Sequence, residues 1–187
     1  FRIVRGELHT VRGKIGNGKR LRELEQKGID CTFKGWYSGK TEHILLCPSS
    51  QTVTMATNQM NQKDWIDLAT NEIRKFTDRP IRLRNKPRPG NEWWNTDIRT
   101  DLKNCHALVT NMSLAAVDAV INKVPVFTHD NNIANFVASK DLKFIEKPKK
   151  PGHKTMGEWL KMVVENQFTI DEIKNGTAYK TLMEQPI

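Results

Sequence analysis

Three groups of polar side chains, each directly after a short apolar or alternating run, could together bind phosphate. The groups are Ser49 and Ser50; Lys86 and Arg88; and Thr110, Asn111 and Ser113. Hydroxyl groups donate hydrogen bonds to phosphate oxygens, and an arginine can bind two of those oxygens at once. Ser113 also opens a predicted helix, whose first backbone amides and positive dipole end favour an anion. The combination predicts a diphosphate site.

Each of these groups also has a purely structural interpretation. Ser113 could be a plain N-cap, and Lys86 and Arg88 could lie in a solvated loop. Asp118, five residues further along the predicted helix, could bind a ribose hydroxyl or lie on the surface. His129 could act as a base or as a ligand contact, although a single histidine in a loop need be neither.

The elements that must position these groups alternate between strand and helix. The sequence predicts strands over 43–47, 80–84, 106–110, 124–128 and 142–145. It predicts helices over 20–26, 62–76, 96–104, 113–122, 131–139, 155–165 and 169–183. Such alternation with short connections predicts an α/β fold, a doubly wound, parallel, Rossmann-like sheet. Ligands bind at the carboxyl ends of its strands, where the three groups lie. The predicted division is a small basic segment, 1–42, and a Rossmann-like domain with C-terminal helices, 43–187.

Composition narrows the class of protein and of partner. The 187 residues include 30 Lys and Arg against 21 Asp and Glu, a formal charge of +9, and residues 1–40 alone carry +6. This excess favours a polyanionic partner. No apolar stretch is long enough for a membrane span, so no membrane partner is predicted. The three cysteines lack CxxC spacing, which argues against a disulfide framework or zinc site and favours the cytoplasm.

One stretch resembles the donor-binding half of GT-B-type glycosyltransferases. In residues 105–128 an apolar strand ends in Thr110-Asn-Met-Ser113, a helix of small residues follows, and Val124-Pro-Val126 begins the next strand. Lys123 or Asn122 stands where that superfamily usually has glycine. Lys86-Pro87 stands where many members have His-Pro, and Ile44–Ser50 is similar to the first strand and loop. The tail, 167–176, resembles a largely uncharacterised group of bacteriophage proteins.

This resemblance implies a nucleotide-sugar donor, a UDP-sugar in the first instance, and transfer of its sugar without a metal or other cofactor. The diphosphate would lie at the Ser113 helix, with Ser49, Ser50, Lys86 and Arg88 around it. A complete GT-B enzyme has a second domain for the acceptor, and residues 1–42 would be a remnant or part of it; otherwise that domain is missing from the chain or catalysis is absent. Only weak candidates for a catalytic base remain, and these are His9, Asp30 and His129.

The bacteriophage resemblance and the basic N-terminal segment make a hydroxymethylated base in DNA the expected acceptor. The side chains expected to contact DNA are Arg12, Lys14, Lys19, Arg20, Trp93 and Trp94. The two tryptophans could instead pack over the sheet edge. The oligomeric state is left open.

Two other functions compete with glycosyl transfer. The first is a non-catalytic nucleotide- or DNA-binding protein on a degenerate GT-B fold. The second is a P-loop enzyme, because residues 13–19 fit G-x-x-x-x-G-K. Arg20 argues against the P-loop, since it replaces the Ser or Thr that would hold magnesium. The glycine cluster is therefore expected to be a flexible basic turn.

Overall fold

The structure, a computed structural model, describes residues 18–92, 94–128 and 132–184. Contacts divide the chain into two compact units. One is Gly35–Lys150 and is called the sheet unit below. The other, called the helical unit, joins the residues before position 35 to those after position 150. The sequence-based division at 42/43 instead groups the C-terminal helices with the sheet.

A parallel sheet of four strands forms the centre of the sheet unit, in the order β2-β1-β3-β4. The strands are β1, His43–Leu46; β2, Ile81–Leu83; β3, Cys105–Val109; and β4, Val126–Phe127. The α/β prediction with a parallel sheet is therefore confirmed. The chain passes from β1 to β2 in one direction and from β3 to β4 in the other. The direction of winding thus changes between β1 and β3, which are neighbours.

The pleat of the sheet gives each face its own apolar layer. Ile44, Leu46, Ala107, Val109 and Phe127 form one buried cluster with Trp65, Ala69 and Ile73 of helix α3, Gln62–Arg74. Alternation places the intervening strand residues on the opposite face. Helix α4, Ile98–Leu102, and helix α5, Ala115–Ile121, pack against each other, and α5 packs on β3 and β4.

Three elements of the sheet unit differ in type from the sequence prediction. Residues Gln51–Asn58, expected as a polar loop, form helix α2, capped by the Ser50 side chain. Thr52, Val53 and Thr54 lower helix propensity and hide this helix from a periodicity argument. The predicted fifth strand is wrong, because Leu142–Phe144 is a 3-10 helix capped by Asp141. Another 3-10 helix, Ile133–Phe136, stands where the sequence predicted a longer helix over 131–139.

In the helical unit a buried arginine joins the two ends of the chain. Helix α1, Lys19–Gln26, packs against α6, His153–Glu165; helices α7, Ile170–Lys174, and α8, Thr177–Glu184, follow. The Arg20 guanidinium donates to the carbonyls of Val164 at 3.1 Å and Gln167 at 2.8 Å. It also pairs with Glu172 at 2.7 Å, and Glu172 forms a capping box with Thr169 at the start of α7. These bonds explain why the C-terminal helices group with the N-terminal segment rather than with the sheet.

Candidate phosphate-binding site

Two loops meet where the winding direction of the sheet changes, at the carboxyl ends of β1 and β3. The Ser49 backbone N–H donates to Asn111 Oδ1 at 2.9 Å. In return, the Met112 N–H donates to Ser49 Oγ at 3.2 Å. Ser49 and Asn111 are both buried. The sequence-predicted groups after β1 and β3 are thus brought together, and a reciprocal pair of hydrogen bonds joins the loops.

The buried amide of Asn111 fixes the position of both loops. Its Nδ2 donates to Thr54 Oγ1 at 3.3 Å and to Asn58 Oδ1 at 3.0 Å, both on α2. Its backbone carbonyl accepts from Thr128 Oγ1 at 2.6 Å. Sequence reasoning missed Thr54 and Thr128, although Thr128 stands at the carboxyl end of a predicted strand, where ligand contacts are expected. The side-chain amide and the backbone carbonyl of Asn111 are therefore bonded to protein atoms rather than offered to a ligand.

Thr110 has a similar framework role, since its buried Oγ1 accepts the Ser113 N–H at 3.2 Å. Ser50 and Ser113 are different because both are partly exposed. Ser50 Oγ accepts the Val53 N–H at 3.5 Å, and Ser113 Oγ accepts the Ala115 N–H at 3.2 Å. A hydroxyl that accepts one bond still has a proton to donate. Ser50 and Ser113 therefore remain available to an anion.

The cations in and around β2 divide into two groups, those neutralised by a carboxylate and those that are exposed. Arg84 is buried and its guanidinium pairs with Asp101, while Arg79 pairs with Glu146 at 3.0 Å. Arg82, Lys86 and Arg88 are exposed, and within the described ranges none of them forms an ion pair with a carboxylate. β2 is an edge strand next to β1, so Lys86 and Arg88 lie at the same carboxyl edge as Ser50.

The Lys86–Arg88 loop is held by a single asparagine. The Arg88 backbone N–H donates to Asn91 Oδ1 at 3.3 Å, and Asn91 Nδ2 donates to the Lys86 carbonyl at 3.2 Å. The Trp94 side chain, 46% exposed, follows in the same connection. Trp93 lies outside the described residues. Hydrogen bonds between the Asn91 side chain and the backbone therefore order this loop, while its two cationic side chains are exposed.

Asp118 projects from α5 and is exposed. Partial desolvation, and then the charge of Asp97, raise the pKa of its carboxyl. A carboxylate so placed is suited to accept a hydrogen bond from a neutral donor such as a sugar hydroxyl. His129, the other candidate beyond β3 and β4, lies outside the described residues, as do His9, Arg12 and Lys14.

The remaining N-terminal candidates are in the helical unit. Arg20 is not accessible to nucleic acid, because its guanidinium is buried on Glu172 and over the Phe168 ring, 4.6 Å from its centroid. Lys19 is exposed, with Glu184 at 3.6 Å. Asp30 pairs with Lys34 at 2.6 Å, and this hydrogen bond, with one from the Thr32 N–H, lowers its carboxyl pKa to about 2. A carboxylate of such low pKa is a weak general base.

A cavity of about 330 Å³ adjoins the carboxyl ends of β3 and β4, on the face covered by α3. Its apolar lining is Trp65, Leu68, Ala69, Val109, Phe127 and Leu142. Its polar lining is Glu72, Thr110, Thr128 and Lys140. The sequence candidates include only Thr110 of these ten residues, because residues from separate elements form the cavity.

No family model, curated protein or solved structure matches the chain. Among the described residues, no cluster of three or more His, Cys, Asp or Glu could hold a metal ion. None of the helices in the described ranges has the length and apolar character needed to cross a membrane.

Proposed function

We propose that this chain binds a nucleotide-sugar, a UDP-sugar in the first instance, and transfers the sugar as a GT-B-like glycosyltransferase. The observation that carries the proposal is the meeting of the β1 and β3 loops at the change of winding direction, beside the exposed cations that follow β2. In open parallel sheets this is where nucleotides bind. The resemblance of residues 105–128 to donor-binding domains agrees with that location.

In this proposal the diphosphate lies across the carboxyl edge of the sheet. Ser50 and Ser113 donate from their hydroxyls, and Lys86 and Arg88 supply positive charge. The first amides of the eight-residue helix α2 point to the same edge. The buried residues Ser49, Thr110 and Asn111 hold the loops in place. Fixed cations and donors would stabilise the charge that develops on the departing diphosphate.

The proposed acceptor is a hydroxymethylated base in DNA. Arg82 is exposed on β2, Lys86 and Arg88 are exposed in the connection that follows it, and the half-exposed Trp94 lies further along that connection. Cations that contact phosphates and an aromatic ring that stacks on a base are the usual means of holding an extruded or single-stranded nucleotide. DNA binding by this surface should weaken steeply as salt concentration rises. Affinity that does not change with salt would remove DNA as the acceptor.

A non-catalytic nucleotide- or DNA-binding protein is the second candidate function. One observation favours it: Asp30, the described candidate for a base, is exposed and ion-paired and has a lowered pKa. The two functions differ in turnover. A nucleotide-sugar that binds but is neither hydrolysed nor transferred to hydroxymethylated DNA would support the binding protein.

The donor site is tested with a melting-temperature screen against UDP-, GDP-, ADP- and CDP-sugars, because a ligand of the folded state stabilises it by mass action. Lys86→Ala should then weaken binding of the best donor about tenfold, which corresponds to ~1.4 kcal/mol. Lys103→Ala is the matched control. Lys103 is likewise an exposed lysine, just before β3, at the amino edge of the sheet. Equal affinity in both variants would place the diphosphate elsewhere.

A further inference from the structure

The cavity beside β3 and β4 is connected to the carboxyl-edge loops through shared residues. Thr110 lines the cavity, and its hydroxyl oxygen accepts the Ser113 N–H. Thr128 also lines the cavity, and its hydroxyl donates to the Asn111 carbonyl. Thr110 and Thr128 therefore connect the wall of the cavity directly to the loops where the diphosphate is proposed to bind.

The size and lining of the cavity favour a single ring system. About 330 Å³ is at the lower end of the range for small-molecule sites. Trp65 and Phe127 provide aromatic surface, and Ala69 and Val109 add aliphatic contacts. Aromatic rings pack well against such a lining in offset or edge-to-face arrangements.

The polar groups of the cavity would recognise a ring that carries N–H groups. The Thr128 hydroxyl has already donated its proton to Asn111, so its oxygen can act only as an acceptor. The Glu72 carboxylate is a second acceptor, although Lys75 lies 2.5 Å from it. Acceptors at the edge of an apolar cavity match the imino and amino groups of nucleobases such as uracil and guanine.

We propose that this cavity binds the nucleobase of the nucleoside diphosphate; the assignment rests on the proposed function for the identity of the ligand. The base would lie between α3 and the carboxyl ends of β3 and β4. The ribose would pass Thr110, and the diphosphate would reach Ser113 and the cations after β2. The cavity would thus determine which nucleotide is selected, while the edge of the sheet binds its charge.

The test separates the base from the phosphates. Uridine, guanosine and inorganic pyrophosphate are each titrated into the full chain and followed by two-dimensional NMR. Leu68→Trp is the test variant, because Leu68 lines the cavity and is 49% exposed, so a larger ring can block the cavity with little effect on the core. Met55→Trp is the matched control. Met55, on α2, is 50% exposed and is not a lining residue. Unchanged melting temperatures verify that both variants fold.

We expect at least one of the two nucleosides to bind the wild type and Met55→Trp equally, and to bind Leu68→Trp at least tenfold more weakly. Pyrophosphate should bind all three proteins alike and should bind Lys86→Ala more weakly. A nucleoside that binds Leu68→Trp as well as the wild type, or no nucleoside binding to any protein, overturns the cavity assignment. Pyrophosphate that fails to bind, alongside a nucleoside that requires the open cavity, overturns the phosphate site and leaves the cavity assignment standing.

Discussion

Replacing Asn111 with alanine should destabilise the sheet unit by about 3 kcal/mol. The side chain is 1% exposed and makes three hydrogen bonds, with Ser49, Thr54 and Asn58. Its loss leaves the buried Ser49 N–H without that acceptor, which costs ~1–3 kcal/mol, and each of the two donated bonds adds ~0.5–1.5 kcal/mol. Relaxation of α2 recovers part of this sum. Since domains are stable by ~5–15 kcal/mol, the effect is easily measured.

The measurement is urea unfolding combined with amide hydrogen exchange of β1, which reports on the sheet unit separately from the helical unit. Asn58→Ala is the control, because it removes only one of the three bonds and Asn58 is partly exposed. It should cost less than ~1 kcal/mol. An Asn111→Ala protein whose β1 amides exchange with a free energy within ~0.5 kcal/mol of the wild type would refute the framework role of Asn111.

Two further predictions concern the pH dependence of stability and one backbone conformation. Burial lowers the pKa of His106, whose ring bonds to Thr41 Oγ1 and to the Ile145 carbonyl, both at 2.8 Å. As pH falls, the unfolded chain therefore binds this proton at a higher pH than the folded protein does. The free energy of unfolding is thus highest above the ordinary histidine pKa of ~6.5 and falls as pH drops below it. In urea titrations, His106→Gln should reduce the difference between the free energies of unfolding at pH 7.5 and pH 5.5. An unchanged difference would contradict the prediction. Lys123 has a φ of 67° after α5, a conformation that glycine adopts more easily than lysine. Lys123→Gly should therefore raise the free energy of unfolding by ~0.5–1 kcal/mol, and the melting temperature with it, whereas Lys123→Ala should not.

The position of Lys123 also bears on the resemblance to GT-B donor domains. That superfamily usually has glycine between the small-residue helix and the following strand, and this chain has Asn122-Lys123 there. The structure places Lys123 in the left-handed region, which glycine adopts most easily. Lys123 therefore adopts, at some conformational cost, a backbone conformation that a glycine would adopt with less strain.

Buried strands could be predicted because their signal is local. Apolar residues predominate in β1 and β3, and Pro48 or a polar turn marks where each ends, so their bounds differ by only a residue from prediction. Helix α3 was equally predictable from its apolar spacing, and Asn61 caps it, since Asn61 Oδ1 accepts the Asp64 N–H at 2.8 Å. In each case the property that defines the element lies within a few consecutive residues.

Whether a polar side chain binds a ligand or stabilises the fold could not be predicted in the same way, because this depends on contacts with residues distant in the sequence. Arg20 belongs to a basic segment that predicts a nucleic-acid surface, yet its partner Glu172 is 152 residues away and removes it from the surface. Ser49 is correctly expected at the carboxyl edge. However, Met112 on another loop occupies its hydroxyl oxygen. The sequence indicates which end of a strand these residues occupy. Only the tertiary contacts show which of them hold the loops in place and which remain available to a ligand.

The distribution of accessible charge defines what kind of ligand the sheet unit can hold. Carboxylates neutralise Arg79 and Arg84, whereas Lys86 and Arg88 are exposed in the connection that follows β2, at the carboxyl edge of the sheet. The cavity lies beyond β3, two strand spacings away, or roughly 10 Å. The exposed cations of the first site suit an anion, and the aromatic lining of the second suits a base. A ligand that uses both must carry an apolar ring and a charged group joined by a spacer of that length. A nucleoside diphosphate has this form, which is why the two halves of the ligand can be assayed separately before the donor is known.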